Sequence, residues 1–221
     1  MTTSGVGEDR RSTRWEAHRR ARREELVDAA LRAITRHGPG VGMEEIAATA
    51  GTSKTVLYRH FSDKEQLYLA VAARVDRRIV GELRRAVSAT SDPRAALAAA
   101  VTTYLRLVED DPRVYRFVVS RPGVDRLGTD PVTGLTAAIS AELARLIAAH
   151  LPADHHRAPA TTAWAHGLVG MVRAAADHWA STPGRPSAAV LAEQLTDLAW
   201  GGLSAVITPR PTSTQLEEEQ A

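Results

Sequence analysis

Between Thr52 and Lys64 the chain reads TSKTVLYRHFSDK. Thr52, Ser53, Lys54, Thr55, Tyr58, Arg59 and His60 place hydroxyls, an ammonium, a guanidinium and an imidazole within about two helical turns. Such groups donate hydrogen bonds to phosphate oxygens and to the polar edges of bases. Leu57 and Phe61, one turn apart, turn the other side of the same segment toward a core. Upstream, Arg10–Arg23 holds seven arginines against the single acid Glu16, a local excess of six positive charges. A cluster of this kind beside a folded module seeks phosphate. Catalysis has a weaker claim. His150, Asp154, His155 and His156 form a polar stretch with no nucleophile and no second ligand cluster, and it reads as a turn. His166 and His178 share a helix but stand twelve residues apart, too far for one site. The chain has no cysteine, which excludes disulfides, thiol catalysis and cysteine–zinc sites. No enzyme activity, metal or cofactor is expected.

Helices must position these groups. The chain has 221 residues, 44% hydrophobic and 24% charged, ordinary for a globular protein that buries a core. Alanine, leucine, arginine and glutamate dominate, and no strand-like alternation is seen. Val27, Ala30, Leu31 and Ile34 form one apolar stripe on a helix that Gly38 and Pro39 should end near His37. Met43, Ile46, Ala47 and Ala50 form a second, short stripe, with Glu44 and Glu45 at its positive N-terminal end. Gly51 breaks it, and Thr52 or Ser53 can cap a third helix to about His60. Ser62–Glu65 spells a capping box, so a long fourth helix is expected from about Asp63 to Ala89. Helices then follow to about Asp110, to Ser120, over Val132–His150, Ala158–Ser181 and Ser187–Ile207, separated by loops rich in Gly and Pro. No apolar run reaches the length of a membrane span, and the arginine-rich N-terminus, lacking an apolar stretch, is not expected to be a signal peptide, so a cytoplasmic location is expected.

Two short helices joined by a glycine turn outline a helix-turn-helix. MEEIAATAGTSKTVLYRHFSDKEQLYLAV resembles the DNA-binding region of the TetR family of transcriptional regulators, the likeness covering about Glu24 to Val71. The resemblance implies that Lys54 and Thr55 face base edges, that Tyr58 meets a phosphate or base, and that His60 and Lys64 bind phosphates, the last aided by a helix N-terminus. Three positions depart from the family pattern. Thr55 stands where glycine or proline is usual and Val56 where a hydroxyl is usual. Gly42 replaces a threonine that often caps the second helix and touches phosphate.

The same resemblance implies an all-α protein: a three-helix DNA-binding domain followed by a helical domain for effector binding and dimerisation. The expected division is a flexible basic arm at 1–18, the helix-turn-helix at 19–64, the second domain at 65–207 and a flexible tail at 208–221. The last two helices would pair with their copies in a homodimer that reads a palindromic operator in double-stranded DNA. Trp164, Leu168, Leu191, Leu195, Leu198 and Gly202 are the expected interface. The family's effector pocket would draw on Tyr104, Tyr115, Phe117, Trp164, Met171 and Trp179, whose flat or soft side chains suit an apolar or amphipathic small molecule such as a fatty acyl derivative. Repression relieved by ligand is the family default, with activation, corepression and a dimeric DNA-binding protein that takes no ligand as alternatives.

Overall fold

The computed structural model describes residues 5–120, 131–149 and 160–207. Its elements are α1 (Gly5–His37), α2 (Met43–Thr49), α3 (Lys54–His60), α4 (Lys64–Ser88), α5 (Pro93–Asp110), α6 (Pro112–Ser120), α7 (Pro131–Ala149), α8 (Thr161–Ser181) and α9 (Ala188–Ile207). Among the described residues no strand occurs, so the all-α reading of the periodicity holds. None of the described helices is long and apolar enough to cross a membrane.

The chain forms two compact units. The first holds α1 to α3, α4 as far as Arg77, and α6; the second holds the rest of α4, α5 and α7 to α9. The sequence-based boundary after Lys64 therefore differs from the observed one. The reason lies in α4, whose first half carries Leu67, Tyr68, Val71, Ala72 and Val75, all buried. Residues 5–18, expected as a flexible arm, are drawn into α1. No glycine or proline interrupts Glu8 to His37, and arginine, glutamate and alanine favour helix throughout. The tail at 208–221 and the stretch containing His150, Asp154, His155 and His156 lie outside the described residues.

In the first unit the core is built from Leu26, Ala30 and Ile34 of α1, Ile46 of α2, Leu57 and Phe61 at α3, and Leu67 and Val71 of α4. Gly38 ends α1 with φ at +91°, a left-handed value that costs glycine nothing, and its amide donates to the Ile34 carbonyl at 2.7 Å. α6 packs on α1. Its cap, Asp111, accepts from the Val114 amide at 3.0 Å and from the Thr35 hydroxyl at 2.7 Å. Arg113 donates to the carbonyls of Thr35 and Arg36, covering acceptors that the last turn of α1 leaves open.

In the second unit α5 packs against α9 and α7 against α8. Ala144, Ile147 and Ala165 form the centre of the α7–α8 contact, with Leu143, Trp164 and Leu168 against them. Arg94 pairs with Asp197 between α5 and α9. The turn between α8 and α9 is pinned by Trp179, whose indole N–H donates to the Pro186 carbonyl at 2.8 Å under the Arg185 guanidinium.

Candidate nucleic-acid interface

The turn between α2 and α3 follows from its residue types. Ala50 donates to the Ile46 carbonyl at 2.9 Å and Thr52 to that of Ala47 at 3.0 Å. Between them Gly51 takes φ +61°, the left-handed step that lets the chain reverse. Ser53 caps α3 by accepting from the Val56 amide across a long 3.4 Å. Ile46, Ala47, Leu57 and Phe61 are all buried. The two short helices are thus locked together from inside.

What remains outside is polar. Ser53, Lys54, Thr55 and Arg59 are exposed, and Tyr58 is 45% exposed although it is one of the large side chains of the unit. Thr52, His60 and Lys64 are partly buried. A helix with this face can offer an ammonium, hydroxyls and a guanidinium to a groove while its back is held rigid.

The start of α4 is capped differently from the sequence reading. The cap is Asp63, not Ser62: its carboxylate accepts from the Gln66 amide at 2.7 Å, and the Gln66 side chain accepts from the Ser62 amide at 2.9 Å. Asp63 and Gln66 match the box pattern as well as Ser62 and Glu65 do, shifted by one residue, with Gln66 reaching the amide before the cap rather than the cap's own. The backbone bond from Gln66, then the Ser62 hydroxyl, hold the Asp63 carboxyl below its usual range. At α2 the N-cap is Gly42, which has no side chain to cap the helix.

Two residues that position the face escaped the sequence reading. Arg23 belongs to the arginine cluster but points inward: it donates to the His60 carbonyl at 2.6 Å, and its guanidinium lies 4.1 Å over the Phe61 ring. It closes the C-terminal end of α3 as a positive group should. Tyr68 donates to the Val41 carbonyl at 2.6 Å, with the Pro39 carbonyl at 3.3 Å, and so fastens the α1–α2 loop to α4. Its ring meets Phe117 edge-on at 5.0 Å and lies under the Lys64 ammonium at 4.9 Å. Burial, then the nearby Glu45 charge, push its pKa up to about 12. The spacing of Tyr68 from the buried Leu67 and Val71 was the available signal for it; Arg23 gave none, because its neighbours are the same residue type.

His60 stands where α1 and α3 meet. Burial first, then the charges of Arg19, Arg22, Arg59 and Arg23, hold its pKa below the usual histidine value. The imidazole is therefore neutral at pH 7, with the positive charges of four arginines acting on it. Such a concentration of positive charge attracts phosphate.

The second-unit residues distribute as follows. Tyr104, Trp164 and Met171 are half-buried, while Trp179 is buried in its turn. Tyr115 and Phe117 lie on α6 in the first unit, where Phe117 is core. Of the expected interface, Leu195 is buried within its own unit, Leu191 is half-buried, and Trp164 and Leu168 pack toward α7. Leu198, 64% exposed, and Gly202 face outward, joined by Val190. Among the described residues no group of three or more His, Asp or Glu side chains is placed to hold a metal.

Comparison with known proteins agrees with this geometry. Residues 26–71 match the family "Bacterial regulatory proteins, tetR family", and residues 82–214 match "Tetracyclin repressor-like, C-terminal domain". The chain is 35% identical over 207 residues to the HTH-type transcriptional regulator Rv0472c of Mycobacterium tuberculosis, covering 91% of this chain and 86% of that one. It is 34% identical to the HTH-type transcriptional activator FasR of Mycolicibacterium smegmatis, covering 91% and 90%. The fold is shared with FadR of Bacillus subtilis, solved in complex with stearoyl-CoA, at a TM-score of 0.62 and 14% identity over 81% of this chain and 98% of that one. A recognition helix backed by Leu57 and Phe61, its outward polar face and matches over both halves of the sequence lead to one conclusion: the chain belongs to the TetR family of transcriptional regulators.

Proposed function

We propose that the protein is a homodimeric, sequence-specific regulator that binds a palindromic operator through α3 and loses or gains affinity when a small apolar or amphipathic effector binds its second unit. The observation that carries this reading is the rigid, outward polar face of Lys54, Thr55, Tyr58 and Arg59. Lys54 and Thr55 read base edges, while Tyr58, His60 and Lys64 grip phosphates. The dimer forms through the outer face of α9, where Val190, Leu198, Gly201 and Gly202 are exposed, and the outer face of α8, where Gly167 and Gly170 are exposed. Small residues there allow close approach of a second copy, and Leu198 supplies the apolar anchor. The protein acts in the cytoplasm, where its operator is.

Repression is the first reading of the sign. Activation is the second, and the 34% identity to FasR, an activator, favours it specifically. An acyl thioester is the effector class to try first, because the same fold accommodates stearoyl-CoA in FadR. A coupling of about 1–3 kcal/mol between effector and operator would change affinity roughly 5- to 150-fold. A gel shift on DNA upstream of the gene, with and without a panel of acyl-CoAs, tests binding and effector together; run-off transcription on the same DNA gives the sign. Absence of any shifted complex with wild-type protein would reject the reading. Leu198→Glu should sediment as a folded monomer and lose operator binding.

A further inference from the structure

Trp15 is the most exposed large hydrophobic side chain among the described residues, at 71%. A single exposed indole needs no explanation by itself. Its neighbours give this one a context. Trp15, Arg19 and Arg22 recur at helical spacing on α1 and share one face. The residue after Arg22 is Arg23, which touches the His60 carbonyl and the Phe61 ring. The face that carries Trp15 therefore runs directly into the C-terminal end of α3. Trp15 lies eight residues before Arg23 in the sequence, about 12 Å along a helix axis.

A flat apolar ring set in a row of guanidiniums suits neither a protein core nor another copy of the same positively charged face. It suits a polyanion that also offers apolar surface. The sugar–phosphate backbone of a duplex does so, presenting phosphates to Arg19 and deoxyribose faces to the indole, while Arg22 is paired with Glu25 at 2.7 Å on the same helix. An anionic membrane offers a similar combination. Continuity with the exposed face of α3 favours DNA, since Arg23 ties this part of α1 to the C-terminal end of α3.

We propose that Trp15 and Arg19 extend the DNA interface beyond the recognition helix, the indole packing on the sugar–phosphate backbone that flanks each half-site. This rests on the DNA-binding reading above. The contact lengthens the footprint and adds affinity from a residue that does no work in the folded unit itself.

The test uses full-length protein. Wild type selects its operator from a library of random duplexes, and the selected site is then made in two forms, one trimmed to the half-sites and one extended by a full helical turn on each side. Wild type should bind the extended form more tightly. Trp15→Ala should lose roughly 5- to 50-fold on the extended form, the worth of hiding part of an indole from water. On the trimmed form it should lose less than about twofold, with an unchanged melting temperature. Arg19→Ala should show the same length dependence and a shallower salt slope. Equal binding of Trp15→Ala and wild type to the extended duplex overturns the inference while leaving the DNA-binding reading intact. Selection of no sequence by wild type overturns the reading itself. Loss of binding to phosphatidylglycerol vesicles in Trp15→Ala, with DNA affinity unchanged, overturns the inference in favour of a membrane surface.

Discussion

Replacing Arg23 by alanine removes two interactions at once. The guanidinium donates to the His60 carbonyl at 2.6 Å and lies 4.1 Å over Phe61. A hydrogen bond from a charged donor contributes about 1.5–3 kcal/mol, and the ring contact about 0.5–1 kcal/mol at a partly exposed site. Freeing the side chain returns about 1–2 kcal/mol of rotamer entropy. The net loss is about 2 kcal/mol, which lowers the melting midpoint of a unit this size by roughly 10 °C. Far-UV circular dichroism during heating measures it. Amide exchange at Phe61, whose N–H bonds to the Leu57 carbonyl, should quicken in parallel as the last turn of α3 frays. Arg23→Lys keeps the charge but not the planar stack, and should recover about half the loss. Arg19→Ala should move the midpoint far less, since Arg19 is exposed and donates no hydrogen bond to the α3 carbonyls. A midpoint for Arg23→Ala within about 1 °C of wild type would refute the claim that this arginine locks the recognition helix.

The other predictions concern the same unit. The His60 pKa lies below 6.5 in the free fold, so the folded state takes up this proton less readily than the unfolded chain, and stability falls as pH drops through 6.5. A phosphate against the ring reverses the preference, so operator affinity should rise about three- to tenfold from pH 7.5 to 5.5; fluorescence anisotropy should show this rise vanish in His60→Gln. Tyr68→Phe leaves the Val41 carbonyl without its donor and should cost about 1–2 kcal/mol in urea melts at pH 7. Because the Tyr68 pKa is raised to about 12, the wild type holds this group's contribution below pH 10 and loses it as pH rises toward 12; the phenylalanine variant should lack that alkaline loss. Gly42→Thr should raise the melting midpoint by a degree or two by completing a capping box with Glu45. A Cβ there would meet the Glu45 carboxylate at 2.5 Å, but that oxygen ends a flexible side chain and can swing aside. If the threonine also reaches a phosphate, operator affinity should rise with the log–log salt slope unchanged, because a neutral hydroxyl displaces no counterion.

Much of the first unit was legible because its rules are local. Gly38 and Gly51 end their helices where a left-handed residue was required, and the spacing of Leu57 and Phe61 separated core from face before any coordinates. The cap of α4 was misplaced by one residue because Ser62–Glu65 and Asp63–Gln66 are both valid boxes, and only the fold chooses between them. Arg23 and Phe117 were misread for a different reason. Whether an arginine turns inward, or an aromatic on α6 joins a core built chiefly from residues before Arg77, depends on partners tens of residues away. No periodicity encodes that choice. In the second unit the helices were legible and their faces less so: Leu195 and Leu198 lie on one stripe in the sequence, yet one is buried and the other exposed.

The recruitment of α6 by the first unit also bears on how the protein is made. A ribosome that has released residues 1–77 has delivered α1, α2, α3 and the start of α4, but neither Arg113 to cover the end of α1 nor Phe117 to close against Tyr68. Synthesis must proceed through α5 and on to Ser120 before those contacts can form. The DNA-reading module therefore cannot be complete until just over half of the chain has been made, and chains released before then present a recognition helix on an unfinished frame. Such fragments are poor competitors for the operator and ready substrates for proteolysis.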